Sequence, residues 1–268
     1  MNVFPNVIIA DTLNGLGTQT YDNYLIHALC QSGTCRFRFN EKEFELHKGD
    51  LMIVRKGMLV DDIRPSVDFR VQAIYITATY IERCTPQSNY GMKGQLALFL
   101  NPVMKLTSVQ YERCQQDFNR VVESLADTNH HFYDEMLACT VQMLILDFFD
   151  FHSSLYGIDN ISLQQATLMN RFLNMLENGD FRCHREISYY ADHLCITSKY
   201  LSEISKKVSG YAAGYWIDRY TILDISRLLR DKSLTLTDIS DLFGFSSLAY
   251  FSRYVQQHLG VSPSQYRE

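Results

Sequence analysis

Residues 236–267 read LTDISDLFGFSSLAYFSRYVQQHLGVSPSQYR. Ser240 to Leu242 end an apolar helix face, Gly244 supplies a turn, and Ser246 or Ser247 can cap a second helix. The core face of that second helix is expected at Tyr250, Phe251 and Tyr254, and Gly260 with Ser262-Pro263 stops it before a short closing helix. Helix, tight turn and helix form a unit whose second helix can enter a DNA major groove.

The pattern occurs twice. Tyr200-Leu201-Ser202 corresponds to Tyr250-Phe251-Ser252 at an offset of fifty, as Gly210 does to Gly260. Trp216 and Tyr266 follow as aromatics, and Ile187 to Asp192 matches Leu236 to Asp241 with one extra residue in the second turn. Spacing and residue class repeated together outweigh any single motif, and two copies are too few for a solenoid. Paired helix–turn–helix units are the expectation.

On these residues the stretch 165–268 resembles the DNA-binding domain of the AraC/XylS family of bacterial transcription regulators, with GFSSLAYFSRYVQQHLGVSPSQYR closest to the family signature. Ser240 stands where the family usually has Ala, Ala213 where the first repeat's Pro would be, and Tyr254 and Leu259 replace usual Phe residues. These departures adjust volume or polarity in a small core and leave the helix–turn–helix intact.

Length and composition fit two domains: 268 residues, 46% apolar and 13% aromatic. The N-terminal MNVFPNVIIAD shows no signal peptide, and the longest apolar run, Val141 to Phe151, is broken by Gln142, Asp147 and Asp150, so no membrane span is expected. Seven cysteines without a C-x-x-C pair read as free thiols of a cytoplasmic protein. Cys183, His184, His193 and Cys195 look superficially like zinc ligands, but Cys195 falls at the repeat position of Gly244, in a turn, and no metal or other cofactor is expected. Residues 1–161 hold 13 Lys+Arg against 19 Asp+Glu, whereas 162–268 hold 12 against 11. The acidic excess is N-terminal, so phosphate contact in the C-terminal part must come from local clusters: Lys199, Lys206, Lys207, Arg219 and Arg253.

Residues 20–82 alternate like short strands, at Tyr24–Leu29, Cys35–Phe39, Phe44–Leu46, Leu51–Val54 and Phe69–Thr79, with turns at Gly33, Asn40-Glu41, Gly49 and Gly57. A small barrel or jelly roll is expected. FELHKGDLMIVRKGM, residues 44–58, resembles a hairpin of the cupin-like sensor domains of the same regulator family. His27 and His47 stand alone, without the His-x-His pair of metal-dependent cupins, so a cupin enzyme is not expected. The barrel either binds a small molecule or serves only to dimerise or to bind a protein. Arg36, Arg38 and Arg70 would suit an anionic effector if they point inward, and are otherwise a solvated strand face.

After Pro102 the periodicity is helical. Tyr111, Cys114, Phe118, Val121 and Leu125 recur at three and four, a seam suited to self-association as a homodimer, the alternative being packing on the barrel. Phe132–Phe151 is apolar on several sides and is expected to be sandwiched, and Ser153–Ser162 breaks the pattern as a linker.

In the first helix–turn–helix unit, 186–194 is the scaffold helix and 197–208 the reading helix, capped by Thr197 or Ser198. Leu201, Ile204 and Val208 face the core, leaving Thr197, Ser198, Lys199, Ser202, Glu203 and Lys206 outward. A helix from Tyr215 to Arg230 joins the units and can set the reading helices one DNA turn, about 34 Å, apart. In the second unit Thr235 and Asp238 make a cap-like pair, and the outward residues are Ser247, Leu248, Ala249, Ser252, Arg253 and Gln256. The resemblance implies that these outward residues touch bases.

The sequence thus specifies an α+β chain: a cupin-like β-barrel or jelly roll with flanking helices over 1–155, a linker over 156–163, and an all-α domain over 164–268 with helix–turn–helix units at about 186–208 and 235–259. The resemblance implies a cytoplasmic sequence-specific regulator, not an enzyme, that binds double-stranded promoter DNA, contacts RNA polymerase as an activator, and answers to a small-molecule effector. A ligand-independent regulator remains the alternative, as does a unit whose helices bind protein instead of DNA.

Overall fold

The strand Tyr24–Ser32 is buried at its first seven positions, so it needs cover on both faces. The computed structural model describes residues 5–85, 92–157 and 161–268. The chain folds as two units, Met1–Asp159 and Asn160–Glu268; of the linker expected at 156–163, residues 158–160 lie outside those described.

In the N-terminal unit the strands are β1 (Val7–Ala10), β2 (Tyr24–Ser32), β3 (Thr34–Phe39), β4 (Lys42–His47), β5 (Asp50–Val54), β6 (Val60–Pro65), β7 (Arg70–Thr77) and β8 (Val103–Lys105). They form a five-stranded sheet, β1-β7-β2-β5-β8, and a three-stranded sheet, β4-β3-β6, antiparallel throughout. Period-two alternation sends Ile26, Ala28 and Cys30 of β2 toward the small sheet, where they meet Cys35, Phe37 and Phe39. Phe39 has essentially no exposure, and truncating such a ring to Ala costs roughly 3–5 kcal/mol. The β3–β4 hairpin turns on Asn40 and Glu41, both left-handed at φ 51° and 65°, as a two-residue turn of matching twist requires.

Leu29, Leu51, Ile53, Ile74 and Ile76 face the other way, against a helical layer. That layer comprises α1 (Ala78–Cys84), α2 (Met92–Leu100), α3 (Ser108–Ala126) and α4 (Tyr133–Tyr156). Thr107 and Gln110 form a capping box that starts α3.

Two groups of residues lie elsewhere than the sequence suggests. Cys114, Phe118 and Val121 have no exposure and join the core beneath the large sheet, with Tyr111 and Leu125 packed at its margin. The centre of the α3 stripe is used inside the chain, and only Tyr111 and Leu125 at its ends stay half-buried. Arg36, Arg38 and Arg70 do not converge on a cavity. Because Cys35, Phe37 and Phe39 point inward, Arg36 and Arg38 must point out, where they pair with Glu45 at 3.0 Å and Asp61 at 2.5 Å. Arg70 is exposed and donates to the Phe69 carbonyl. Nor is α4 sandwiched: Phe132, just before it, and Met136, Met143 and Leu146 are all exposed.

The C-terminal unit is helical: α5 (Leu163–Glu177), α6 (Ile187–His193), α7 (Ser198–Ser209), α8 (Ala213–Arg230), α9 (Leu236–Leu242), α10 (Leu248–Leu259) and α11 (Pro263–Tyr266). The eighteen residues of α8 span about 27 Å at 1.5 Å per residue. Twelve of them are buried, Trp216 and Ile217 completely, because α6 and α7 on one side and α9, α10 and α11 on the other all pack on this helix.

Candidate nucleic-acid interface

The two helix–turn–helix units share the same turn bond, left-handed position and cap, with one extra residue in the second turn. In the first, the Ile196 N–H donates to the Ala191 carbonyl, and in the second Phe245 donates to Ser240, each at 3.0 Å. Cys195 and Gly244 sit at the same point, at φ 56° and 59°. Thr197 accepts from the Tyr200 N–H and Ser247 from the Tyr250 N–H, so each reading helix begins on a side-chain cap. Both helices end on a left-handed glycine, Gly210 at φ 81° and Gly260 at φ 78°. The extra residue expected in the second turn falls between Phe245 and Ser247.

Amphipathicity then decides which face is presented. In α7, Leu201, Ile204, Ser205 and Val208 are buried, while Lys199, Glu203 and Lys206 are exposed and Ser198 and Ser202 half-buried, with Thr197 exposed at the cap. In α10, Phe251 and Val255 are buried; Ser247, Leu248, Ala249, Arg253 and Gln256 are exposed and Ser252 is half-buried. All twelve residues singled out from the sequence thus lie on the outward sides of the two helices. The α7 face carries two lysines, with Lys199 Nζ 3.9 Å from Glu203 Oε1. The α10 face carries Arg253 among small and apolar groups. Lys207 turns aside to donate to Gln165 Oε1 of α5 at 3.2 Å.

Tyr250 and Leu242 depart from expectation. Both were assigned to core faces, and both are exposed, at 44% and 45%. Phe251, Tyr254 and Val255 fill the helical stripe, which leaves Tyr250 about 100° around the axis, beside the reading face.

Three sets of partly buried contacts fix these faces. Arg182, ahead of α6, donates to Asp224 of α8 at 2.7 Å, and Arg227 donates to the other oxygen of the same carboxylate at 2.8 Å. Arg185 donates to the Phe243 carbonyl, and its guanidinium lies 4.2 Å from the Phe245 ring centroid, linking the entry of the first unit to the turn of the second. Tyr254 donates to Asp218 Oδ1 at 2.8 Å, joining α10 to α8; burial and this carboxylate raise its phenol well above the ordinary value. These ion pairs and the cation–π contact were not expected from the sequence, whose spacing says nothing of which buried carboxylate an arginine will meet.

Two capped, outward-facing helices held on one connector, with a β-rich unit ahead of them in the chain, define a paired helix–turn–helix protein. A model described as an AraC-like ligand binding domain matches residues 10–145, and one described as a helix-turn-helix domain matches residues 190–268. The first match alone covers just over half the chain, and the chain belongs to the AraC family of regulators. Among curated proteins it is 30% identical over 69 residues to the probable transcription factor PqrA of Proteus vulgaris, covering 26% of this chain and 57% of that protein. It is 27% identical over 103 residues to the HTH-type transcriptional activator AarP of Providencia stuartii, covering 38% and 76%. The arabinose operon regulatory protein of Salmonella typhimurium is 27% identical over 84 residues, 31% of this chain and 30% of that one. ToxT from Vibrio cholerae is a solved structure with 15% identity and a TM-score of 0.42, covering 97% of this chain and 93% of ToxT.

Proposed function

We propose that this chain binds promoter DNA sequence-specifically by laying α7 and α10 into successive major-groove segments and that its N-terminal unit regulates that binding. The observation that supports the reading is the matched arrangement of the two units: the same turn bond, a left-handed residue at the same point, a side-chain cap, and an outward face that carries at least one cationic residue on each. Lys199, Lys206 and Arg253 supply phosphate or guanine contacts, Ser198, Ser202 and Gln256 adaptable hydrogen bonds, and Leu248 and Ala249 contact with thymine methyl groups. Glu203 accepts from cytosine N4 or steers Lys199. The relatives are transcription regulators, and no catalytic step is assigned to this chain. Activation through RNA polymerase and action in the cytoplasm belong to the same reading; among the described residues no helix is long and apolar enough to cross a membrane.

The regulator works as a homodimer through α4. Phe132, Met136, Cys139, Met143 and Leu146 lie at four-three-four-three spacing and are exposed, a seam that a second antiparallel copy would cover. Centred on Cys139, such a pairing sets Phe132 against Leu146 of the other copy and Glu135 against Met143. Arg120 Nη1 stands 3.6 Å from that Met143 sulfur, so each Glu135 meets an arginine across the seam.

Gel shifts with the DNA upstream of the chain's own coding region, at two salt concentrations, test the DNA reading. Binding that weakens steeply with salt is expected. Absence of binding at low salt would leave the helix–turn–helix units as protein-binding modules.

A further inference from the structure

The second reading helix, α10, is held at two places. Within the helix, Tyr254 donates to Asp218 of α8. Ahead of it, the turn 243–245 meets Arg185, which belongs to the first unit and stands two residues before Ile187, the start of α6. The Arg185 guanidinium donates to the Phe243 carbonyl and lies 4.2 Å from the centroid of the Phe245 ring. Phe181, four residues earlier, stacks on Phe243 at 6.3 Å. Tyr254 is about 9 Å along the axis from Leu248, the first residue of α10, at 1.5 Å per residue. One pin there would leave α10 a pivot; a second pin ahead of its start fixes the direction of its axis.

The base of this strut is itself anchored. Arg185 also donates to the Arg182 carbonyl at 3.2 Å, and Arg182 is tied to Asp224 of α8 at 2.7 Å. The repeat shows that a single unit does not need the arginine. At the offset that maps Ile187 onto Leu236, the second unit has Leu234 in place of Arg185. That unit still forms its turn bond, from Phe245 to Ser240, and its cap at Ser247. A cation at this point builds nothing inside a unit. What it does in the first unit is reach across to the second.

On the reading that both helices engage one duplex, we infer that Arg185 is a positioning residue for spacing specificity. Acting through the turn that precedes α10, it sets the direction of that helix relative to α7, and so the separation of the two DNA segments that the chain accepts. One base pair inserted between the segments moves the second by about 3.4 Å and turns it by about 35° around the duplex. A reader with its helices rigidly joined cannot follow that change. A reader whose second helix swings about Tyr254 can.

The test is a gel-shift titration of the full chain on three duplexes that carry the two footprinted segments of its upstream DNA. One has the native spacing, one a base pair inserted between the segments and one a base pair deleted. The unaltered chain is expected to bind about tenfold more weakly at either changed spacing. Arg185→Met keeps an unbranched side chain but none of the donors. It should bind about threefold more weakly at the native spacing and lose less than about threefold more when the spacing changes. Arg185→Lys, which keeps a charge and a donor, should restore most of the tenfold penalty. A loss of stability alone lowers the binding-competent fraction equally on all three duplexes and leaves the ratio between them unchanged. An Arg185→Met chain with the full spacing penalty therefore overturns the strut. Should Arg185→Met fail to melt cooperatively, Phe245→Leu removes the ring from beneath the guanidinium instead: a relaxed ratio supports the strut, and an unchanged one overturns it. An unaltered chain that binds all three duplexes equally, or none, overturns the reading of two helices on one duplex, and the strut with it.

Discussion

Cys195 and Gly244 hold the same left-handed backbone conformation at the same point of two turns, yet only one of them is a glycine. A Cβ costs about 1–2 kcal/mol in that conformation. No heavy atom comes within 4 Å of a Cβ built on Gly244, so backbone strain is the whole effect there. Gly244→Ala should therefore destabilise by about 1 kcal/mol, and Cys195→Gly should stabilise by up to about 1 kcal/mol less the glycine's unfolded-state entropy. Denaturant unfolding of both variants checks the pair; equal signs would mean the two turns are not equivalent.

The first unit lacks a cap that the second has. Ser262 caps α11 with Gln265 in a capping box and Pro263 at the first position, whereas Ala212 leaves α8 without a side-chain cap. Ala212 is exposed and extended at φ −65°, ψ 159°, so serine fits without rearrangement. Ala212→Ser should raise stability by about 1 kcal/mol. A neutral or destabilising result in chemical denaturation would show that water already satisfies this helix end.

Burial, reinforced by the neighbouring Asp147, pushes the Asp117 carboxyl of α3 up to about 7. An unfolded aspartate titrates near 4. Between those values the folded chain holds a proton the unfolded chain has lost, so this group's contribution to stability falls as pH rises through the window. Asp117→Asn, neutral at every pH, should raise the melting temperature at about pH 8 and change it little at about pH 3, below both titrations. A shift of equal size at both would place the effect in packing, not in charge.

The exposed seam of α4 is checked through Cys139. Mild oxidation should yield a covalent dimer that disappears in Cys139→Ser, although Cys183 and Cys195 remain exposed. Met143→Glu should convert the chain to a monomer in light scattering. A dimer that survives Met143→Glu puts the interface elsewhere.

The C-terminal unit was legible because its signals are local: caps at Thr197 and Ser247, stops at Gly210 and Gly260, and a stripe through Leu201, Ile204 and Val208. What spacing cannot convey is what lies opposite a stripe. Tyr111 to Leu125 was rightly read as a stripe, but the same spacing serves a partner helix or the chain's own sheet, and the sheet has it. Tyr250 was misassigned because an aromatic next to Phe251 looks like core until the period is counted from Phe251 and Val255. Strand β6 went unread because VDDIRP is polar, interrupted at Asp62 with φ 54°, and lies on an edge, while β8 spans only three residues. Arg36 and Arg38 were the reverse case. The alternation that sent Phe37 and Phe39 inward already sent them out.

In the proposed complex two unequal reading helices act together on one duplex. Hydroxyl-radical footprinting on a bound upstream fragment tests it most directly. Two protected segments about one helical turn, roughly 10 base pairs, apart are predicted. Lys206→Ala should weaken protection of one and Arg253→Ala of the other, each lowering the salt dependence of binding by about one phosphate contact. A single protected segment that both substitutions weaken alike would contradict the account.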